Sequence, residues 1–288
     1  MNEQDYEFLI ELYETKNITK MAQKNFFAQP TLTKRIQKLE QELGCQLMLR
    51  GKKGIIFTAD GEQVVSYCRQ MLQTYQQLQN TLNLNKGIVG GTLNVGASLN
   101  YCRYRLPKAL TDYVERYPKV NVSIATGHSR YLYNMLLEDK ISVAIVRGNY
   151  SWQEGCRLLS SEPVCLIKSL KQTTDEIGPL NYIGRRTDIS EERQIEAWLR
   201  ENHIAIQAPK LLVDDINSCK ELVQAGLGWS ILPRICLDGF VGSIQPLFMK
   251  DGTPLTRNTY ALYHESKYQL QQVKLFLDIL IEIEQKNI

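Results

Sequence analysis

Apolar positions recur with a helical period over the first eighty or so residues and with a strand period after that, and the change of period divides the chain. Residues 5–16 place Phe8, Leu9, Leu12 and Tyr13 on one side of a helix. A second, short helix is expected to start at Thr19, whose hydroxyl can cap it, with Met21, Ala22 and Phe26 facing inward. The third carries Leu32, Ile36, Leu39 and Leu43 at steps of four, three and four, one buried stripe. Pro30 suits its first turn, where a missing N–H leaves no bond unmade, and Gly44 is the expected stop. Two short apolar strands then flank the turn Gly51-Lys52-Lys53-Gly54.

From 59 to 86 a long helix is expected. Val64, Cys68, Met71, Tyr75, Leu78 and Leu82 alternate at four- and three-residue steps, a heptad seam whose other surface is polar and glutamine-rich. A helix projecting from a small domain cannot bury such a seam alone, so pairing with a second copy is the natural solution. Packing on its own domain is the alternative.

After the glycine-punctuated "NKGIVGG", short β-branched strands alternate with helices: "GTLNVGA", "RLPKALTDYVERYP", "KVNVSIATG", "YLYNMLLEDK", "ISVAIVRG". This βαβαβ rhythm predicts a mostly parallel sheet covered by helices. A second set follows: "PVCLIKS", "LNYIG", a helix over 191–202, "KLLVDD", a helix over 217–225 and "GWSILP". A last helix, 268–284, returns to the first set. Two α/β lobes joined by crossing strands enclose a cleft, the usual place for a small ligand.

Charge sharpens the reading of the first block. The whole chain carries only +3, yet between Thr19 and Thr58 eight bases (Lys20, Lys24, Lys34, Arg35, Lys38, Arg50, Lys52, Lys53) face two acids, Glu40 and Glu42. Three helices, a basic hairpin and concentrated positive charge fit a winged helix-turn-helix, whose third helix enters the major groove. The seven cysteines are odd in number, scattered and free of any C-x-x-C pair, which argues against a disulfide framework or a zinc site. The acidic start "MNEQDYEFLIELYE" is unlike a signal peptide, and no apolar run reaches the ~18 residues of a membrane span, so a soluble cytoplasmic protein is expected.

The stretch "NITKMAQKNFFAQPTLTKRIQKLEQELGCQLMLRGKKGIIFTADGE" resembles the N-terminal signature of the LysR-type transcriptional regulators. Gln29-Pro30, Leu32, Ile36, Leu39-Glu40, Leu43-Gly44, Leu47, Arg50, Thr58 and Gly61 carry the likeness, and "LVQAGLGWSILP" resembles the family's second-lobe helix-to-strand junction. Two positions depart from it. Ala28 stands where serine is common before Gln-Pro, removing a helix cap worth ~1 kcal/mol. Ser142-Val143-Ala144-Ile145 lacks a common aspartate. The resemblance implies a winged helix-turn-helix domain (1–58), a linker and dimerisation helix (59–88) and a two-lobed α/β effector domain of periplasmic-binding-protein type (89–288). Lobe I would comprise about 89–162 and 265–288, lobe II about 163–264. It implies a dimer or tetramer that binds double-stranded DNA, responds to a small effector, acts with RNA polymerase and needs no cofactor.

For DNA, Gln29, Pro30, Thr31, Thr33 and Lys34 are the candidates for contact at or near bases, since glutamine can read adenine and lysine guanine edges. Lys20, Lys38, Arg50, Lys52 and Lys53 are expected to neutralise phosphates. For the effector, residues just after strands are the candidates: Ser98 and Asn100, His128 and Ser129, Arg147, Asp214 and Arg257. Arginines among hydroxyls and helix starts suit a small organic acid. "VRGN" with "PLTRNTYALY" resembles the citrate-sensing catabolite-control branch of the family. With three histidines and no nucleophile elbow, Walker loop or H-E-x-x-H, no catalytic or metal residue is assigned. The competing class is an α/β ligand-binding protein or enzyme without DNA regulation.

Overall fold

The computed structural model describes residues 1–51, 54–84, 89–171, 181–204 and 211–286. The chain divides into two units, Met1–Ile88 and Val89–Ile288. In the first, Asn2 and Asp5 exchange side-chain and backbone bonds of 3.0 and 3.1 Å, a reciprocal cap that starts α1 (Glu3–Thr15). Then come α2 (Ile18–Lys24), α3 (Gln29–Leu43), a hairpin of β1 (Met48–Gly51) and β2 (Gly54–Phe57), and α4 (Ala59–Leu84). Phe8, Leu9 and Leu12 meet Met21 and Ala22, the α3 stripe Leu32, Ile36 and Leu39, and Ile55 and Phe57 of the hairpin in one core. Each such side chain contributes about 1.5–3 kcal/mol of burial.

Three local expectations are corrected. Asn17, not Thr19, caps α2, accepting from Lys20 N at 3.0 Å, because the helix begins one residue earlier and buries Ile18. Phe26 faces solvent, 97% exposed, because its φ of +57° carries the chain through a left-handed turn and away from the core. Leu43 is partly exposed at the last turn of α3, where Gly44 (φ +69°) leads the chain away.

Thr58 joins hairpin to α4: its hydroxyl donates to Gln46 O at 2.6 Å and accepts from Gly61 N at 3.0 Å. A Cβ on Gly61 would stand 2.0 Å from Leu47 O, so only glycine lets the helix start this close to the hairpin. This docking divides the predicted seam. Cys68 is buried and Val64 half-buried against the unit's own core, beside buried Val65, so Cys68 is not free for a second copy. Met71, Tyr75, Leu78 and Leu82, beyond the reach of the small domain, are exposed.

The second unit runs β3 (Gly91–Ser98), α5 (Leu99–Tyr104), α6 (Leu106–Arg116), β4 (Val120–Gly127), α7 (Ser129–Leu137), β5 (Val143–Arg147) and β6 (Gly155–Ser169). It continues with β7 (Ile183–Arg185), α8 (Ile189–Glu201), β8 (Leu211–Val213), α9 (Ile216–Gln224), β9 (Trp229–Pro233), β10 (Gly242–Pro246), β11 (Thr256–Tyr263), α10 (Glu265–Tyr268) and α11 (Gln271–Gln285). β3 pairs in parallel with β4 and β5, as the βαβ rhythm requires. The sheet as a whole is mixed rather than mostly parallel, because two strands cross between the lobes. "PVCLIKS" is only the second half of the 15-residue β6, whose first half pairs antiparallel with β11 and whose second half pairs with β9 and β10. β11 in turn runs antiparallel to β5. β7 and β8 form a parallel pair, joined to β9 by a bridge between Tyr182 and Trp229. The two-lobed α/β architecture is therefore present, with β6 and β11 as its crossings. The expected last helix is α11, preceded by the separate short α10, and it returns to the first lobe. There Tyr113 Oη donates to Gln272 O at 2.7 Å and Tyr101 Oη to Glu284 at 2.9 Å.

Candidate functional site

In the second unit the parallel strands β3, β4 and β5 all end at one edge, and the chain leaves each through residues that face a common cleft. Ser98, Asn100, His128, Ser129, Arg147, Asp214 and Arg257, the seven effector candidates, all line this 430 Å³ cavity. Ser98 ends β3, and its buried Oγ has no partner among the described residues. His128 occupies the cap position of α7 without a side-chain bond to it, and Ser129 Oγ accepts from Arg147 N at 2.9 Å. From the second lobe come the turn before α8 (Arg185–Asp188) and the turn before α9 (Asp214, Asp215).

Charge inside the cleft is arranged in pairs. Arg147, 5% exposed, is ion-paired with Glu162, which also accepts from Ile235 N at the start of a 3-10 turn. Burial raises the Glu162 carboxyl above its usual range against the pull of Arg147. Arg257, 4% exposed, is ion-paired with Asp188, lies 3.7 Å from Glu191 and donates to Arg147 O at 3.3 Å. Gly148 makes this possible: at φ +95°, a Cβ there would lie 3.3 Å from Arg257 Nη1. Arg185 pairs with Glu191 at 2.7 Å. Burial pushes the Glu191 carboxyl up, but Arg185, Arg257 and the Thr187 hydroxyl outweigh it and hold the group at about 2.

Pairing does not exhaust these arginines. The Nε atoms of Arg147, Arg185 and Arg257 are buried and have no acceptor among the described residues. Ser98 Oγ is likewise buried without a partner among the described residues. All four residues line the one cavity, and arginines concentrated there suit an oxygen-rich anion that displaces one of their carboxylates.

Glu162, Arg185, Asp188 and Glu191 were not singled out from the sequence. Asp188-x-x-Glu191 does have the form of a helix-start signature, and Asp188 accepts from Glu191 N at 3.1 Å. Its second task, neutralising an arginine from β11, leaves no local trace. Glu162 had a weaker signal, a lone acid within a long strand.

The first unit presents α3 as its polar face. Gln29, Pro30, Thr31, Lys34 and Lys38 are exposed, Thr33 is half-buried, and Lys20 is exposed on α2. Arg35 is excluded from this face by its bond to Asp5 at 2.8 Å and its position 4.6 Å above the Phe8 ring. Lys52 and Lys53, and the side chain of Arg50, lie outside the described residues. Ala28 gives α3 no side-chain cap, and neither Phe26 nor Phe27 packs to hold its entrance, since both rings are exposed.

No group of histidine, cysteine or acidic side chains able to hold a metal ion occurs among the described residues. Nor is any described helix long and apolar enough to cross a membrane.

Known proteins place this architecture. Residues 4–62 match the family model of the bacterial regulatory helix-turn-helix protein, lysR family, and residues 86–284 match the LysR substrate binding domain. The chain is 36% identical over 282 residues to the uncharacterized HTH-type transcriptional regulator YraN of Bacillus subtilis (strain 168), covering 97% of each chain. It is 25% identical over 245 residues to the HTH-type transcriptional activator IlvY of Haemophilus influenzae, covering 81% of this chain and 84% of that one. Among solved structures, a full-length OxyR variant from Pseudomonas aeruginosa matches with a TM-score of 0.67 at 18% identity, covering 98% of both chains. Full-length CbnR complexed with its target DNA matches with a TM-score of 0.63 at 18% identity, over 98% of this chain and 99% of that one. With both domain models matched in order along one chain, this protein belongs to the LysR family: it is a DNA-binding transcriptional regulator with an effector-binding domain, not an enzyme.

Proposed function

We propose that the effector of this regulator is a small organic acid bound in the interlobe cleft, and that its binding changes how the subunits of a homo-oligomer are arranged on DNA. The observation that carries the reading is the gathering of Arg147, Arg185, Arg257 and Ser98 around one 430 Å³ cavity, each with a buried polar atom that has no partner among the described residues. A carboxylate that takes the place of Asp188 on Arg257 forms charge-assisted bonds of about 1.5–3 kcal/mol each. The resemblance of the Arg147 and Arg257 segments to the citrate-sensing branch makes citrate the first acid to test. Asp188 is the most accessible of the carboxylates on the arginines, so it is the one an incoming acid would displace.

Subunit pairing is supported by the exposed row Met71, Tyr75, Leu78 and Leu82 on α4, an apolar edge that a second copy can cover. Gln29, Pro30, Thr31, Thr33 and Lys34 read bases in this account, while Lys20, Lys38, Arg50, Lys52 and Lys53 neutralise phosphates. The protein works in the cytoplasm, with RNA polymerase as a further partner. Effector binding shifts the population of subunit arrangements only if the acid binds one arrangement more tightly than the other.

Calorimetry with citrate and related di- and tricarboxylates tests the site, with Ser98→Ala as the variant. Replacing Arg147 would leave Glu162 buried without its counter-charge, whereas Ser98→Ala removes one donor and little else. The expected result is binding by the wild type and a loss of about tenfold or more in the variant. Equal affinities remove Ser98 from the site, and no heat from any of the acids rejects the ligand class.

A further inference from the structure

Phe26 combines two features that a free protein does not favour. Its backbone is left-handed, with φ at +57°, where glycine or asparagine is the usual occupant. Its ring is 97% exposed, so it gains nothing from the hydrophobic core a few residues away. Phe27 beside it is also exposed, tethered through its N–H, which donates to Ala22 O at 2.9 Å. Two adjacent aromatic rings thus project into solvent from the turn between α2 and α3.

The place of this turn identifies what covers it. It leads directly into the exposed row Gln29, Thr31 and Lys34 of α3, so the rings extend the surface on which this family member meets DNA. The surface around them is polar and basic: Gln23, Gln29 and Thr31 are exposed with Lys20 and Lys34, and the first turn of α3 carries no acid. An apolar protein partner would find two rings in a field of lysines and amides. A duplex offers phosphates to the lysines and, within the same few ångströms, apolar deoxyribose edges and thymine methyl groups to the rings.

We infer that Phe26 is a DNA-contacting residue, its ring seated against a deoxyribose or a thymine methyl at the rim of the major groove beside the start of α3. This assignment rests on α3 being the reading helix. It supplies a part of the affinity that carries no charge and therefore does not respond to salt. It also accounts for a residue that burdens the free domain: the exposed, left-handed phenylalanine is kept for the bound state.

The test uses the full-length protein and a duplex that the wild type selects from a random-sequence library. Phe26→Asn places at this position a residue suited to the left-handed backbone, so the variant folds and melts at a temperature equal to or above that of the wild type. It is expected to bind the selected duplex about tenfold more weakly, as the loss of a partly buried aromatic contact implies. The slope of affinity against salt is expected to stay unchanged, because no charge is altered. Phe26→Tyr keeps the ring and restores the affinity. Replacing thymines of the duplex with uracil separates the two contacts: wild-type affinity falls if the ring meets a methyl group and holds if it meets a sugar.

Wild-type affinity in Phe26→Asn overturns the assignment, and so does a changed salt slope, which would mean that the docking had shifted as a whole. A wild type that selects no sequence, or one whose selected site is still bound normally after Gln29 and Lys34 are replaced by alanine, rejects α3 as the reading helix and this inference with it. The two failures are thereby told apart.

Discussion

Glu191→Gln removes one buried negative charge from the cleft of the effector unit, and its consequence can be worked from the structure. The carboxylate is 4% exposed, accepts from Arg185 at 2.7 Å and from the Thr187 hydroxyl, and lies 3.7 Å from Arg257. Glutamine preserves the shape but leaves Arg185 without its carboxylate and Arg257 with Asp188 alone. Removing one partner from a buried ion pair costs about 3–5 kcal/mol. Linkage leads to a similar figure: a carboxyl lowered from 4.5 to about 2 stabilises the folded state by roughly 3 kcal/mol at neutral pH. The sign follows from the lowered value. The stabilisation is complete above pH 4.5 and is lost as the pH falls towards 2. In Glu191→Gln it is missing at every pH, so the variant is weaker at neutrality and its stability declines less steeply between those two values.

Urea unfolding followed by tryptophan fluorescence measures this in the intact protein, because Trp152, Trp198 and Trp229 are the chain's only tryptophans and all lie in the second unit. A loss of less than about 1 kcal/mol at pH 7 would refute the pairing. So would an acid limb as steep as that of the wild type.

Ala28→Ser supplies the missing side-chain acceptor at the start of α3, where Pro30 has no N–H and Thr31 N is the group within reach. It should slow amide exchange over α3 in the free protein by an amount corresponding to ~1 kcal/mol, and unchanged exchange would dismiss the cap account. Leu78→Asp and Cys68→Asp separate the two parts of the predicted seam. Sedimentation should show Leu78→Asp dissociating the oligomer with its fold intact, whereas Cys68→Asp unfolds the first unit, where Cys68 is buried. Dissociation without unfolding in Cys68→Asp would return that residue to the subunit interface.

Much of the site was legible because it rests on local rules. Parallel strands joined by crossover helices end at one edge, so residues immediately after "LNVGAS", "SIATG" and "AIVR" had to converge there wherever the rest of the chain went. The α3 stripe was legible for a similar reason, since helical geometry alone puts Leu32, Ile36 and Leu39 on one face. The charge partners of the cleft were not. Asp188 and Arg257 are far apart in sequence and meet only because β11 crosses between the lobes.

Periodicity says which residues share a face; it does not say what that face meets. The heptad pattern of α4 is continuous through Cys68 and Met71, yet one is buried and the other exposed, because the packed core of the first unit reaches no further along the helix than Cys68. Phe26 reads as apolar and therefore inward, yet the left-handed turn sends it out. Local geometry and composition were thus enough to determine the winged helix-turn-helix, the alternation of strands and helices in two α/β lobes and the edge where the cleft forms, since each follows from hydrogen bonding and side-chain spacing within a few residues. Only the tertiary structure decided which arginines are neutralised, by which acids, and which apolar residues stay uncovered. Those outcomes depend on distances between segments remote in sequence, and no short-range pattern encodes them.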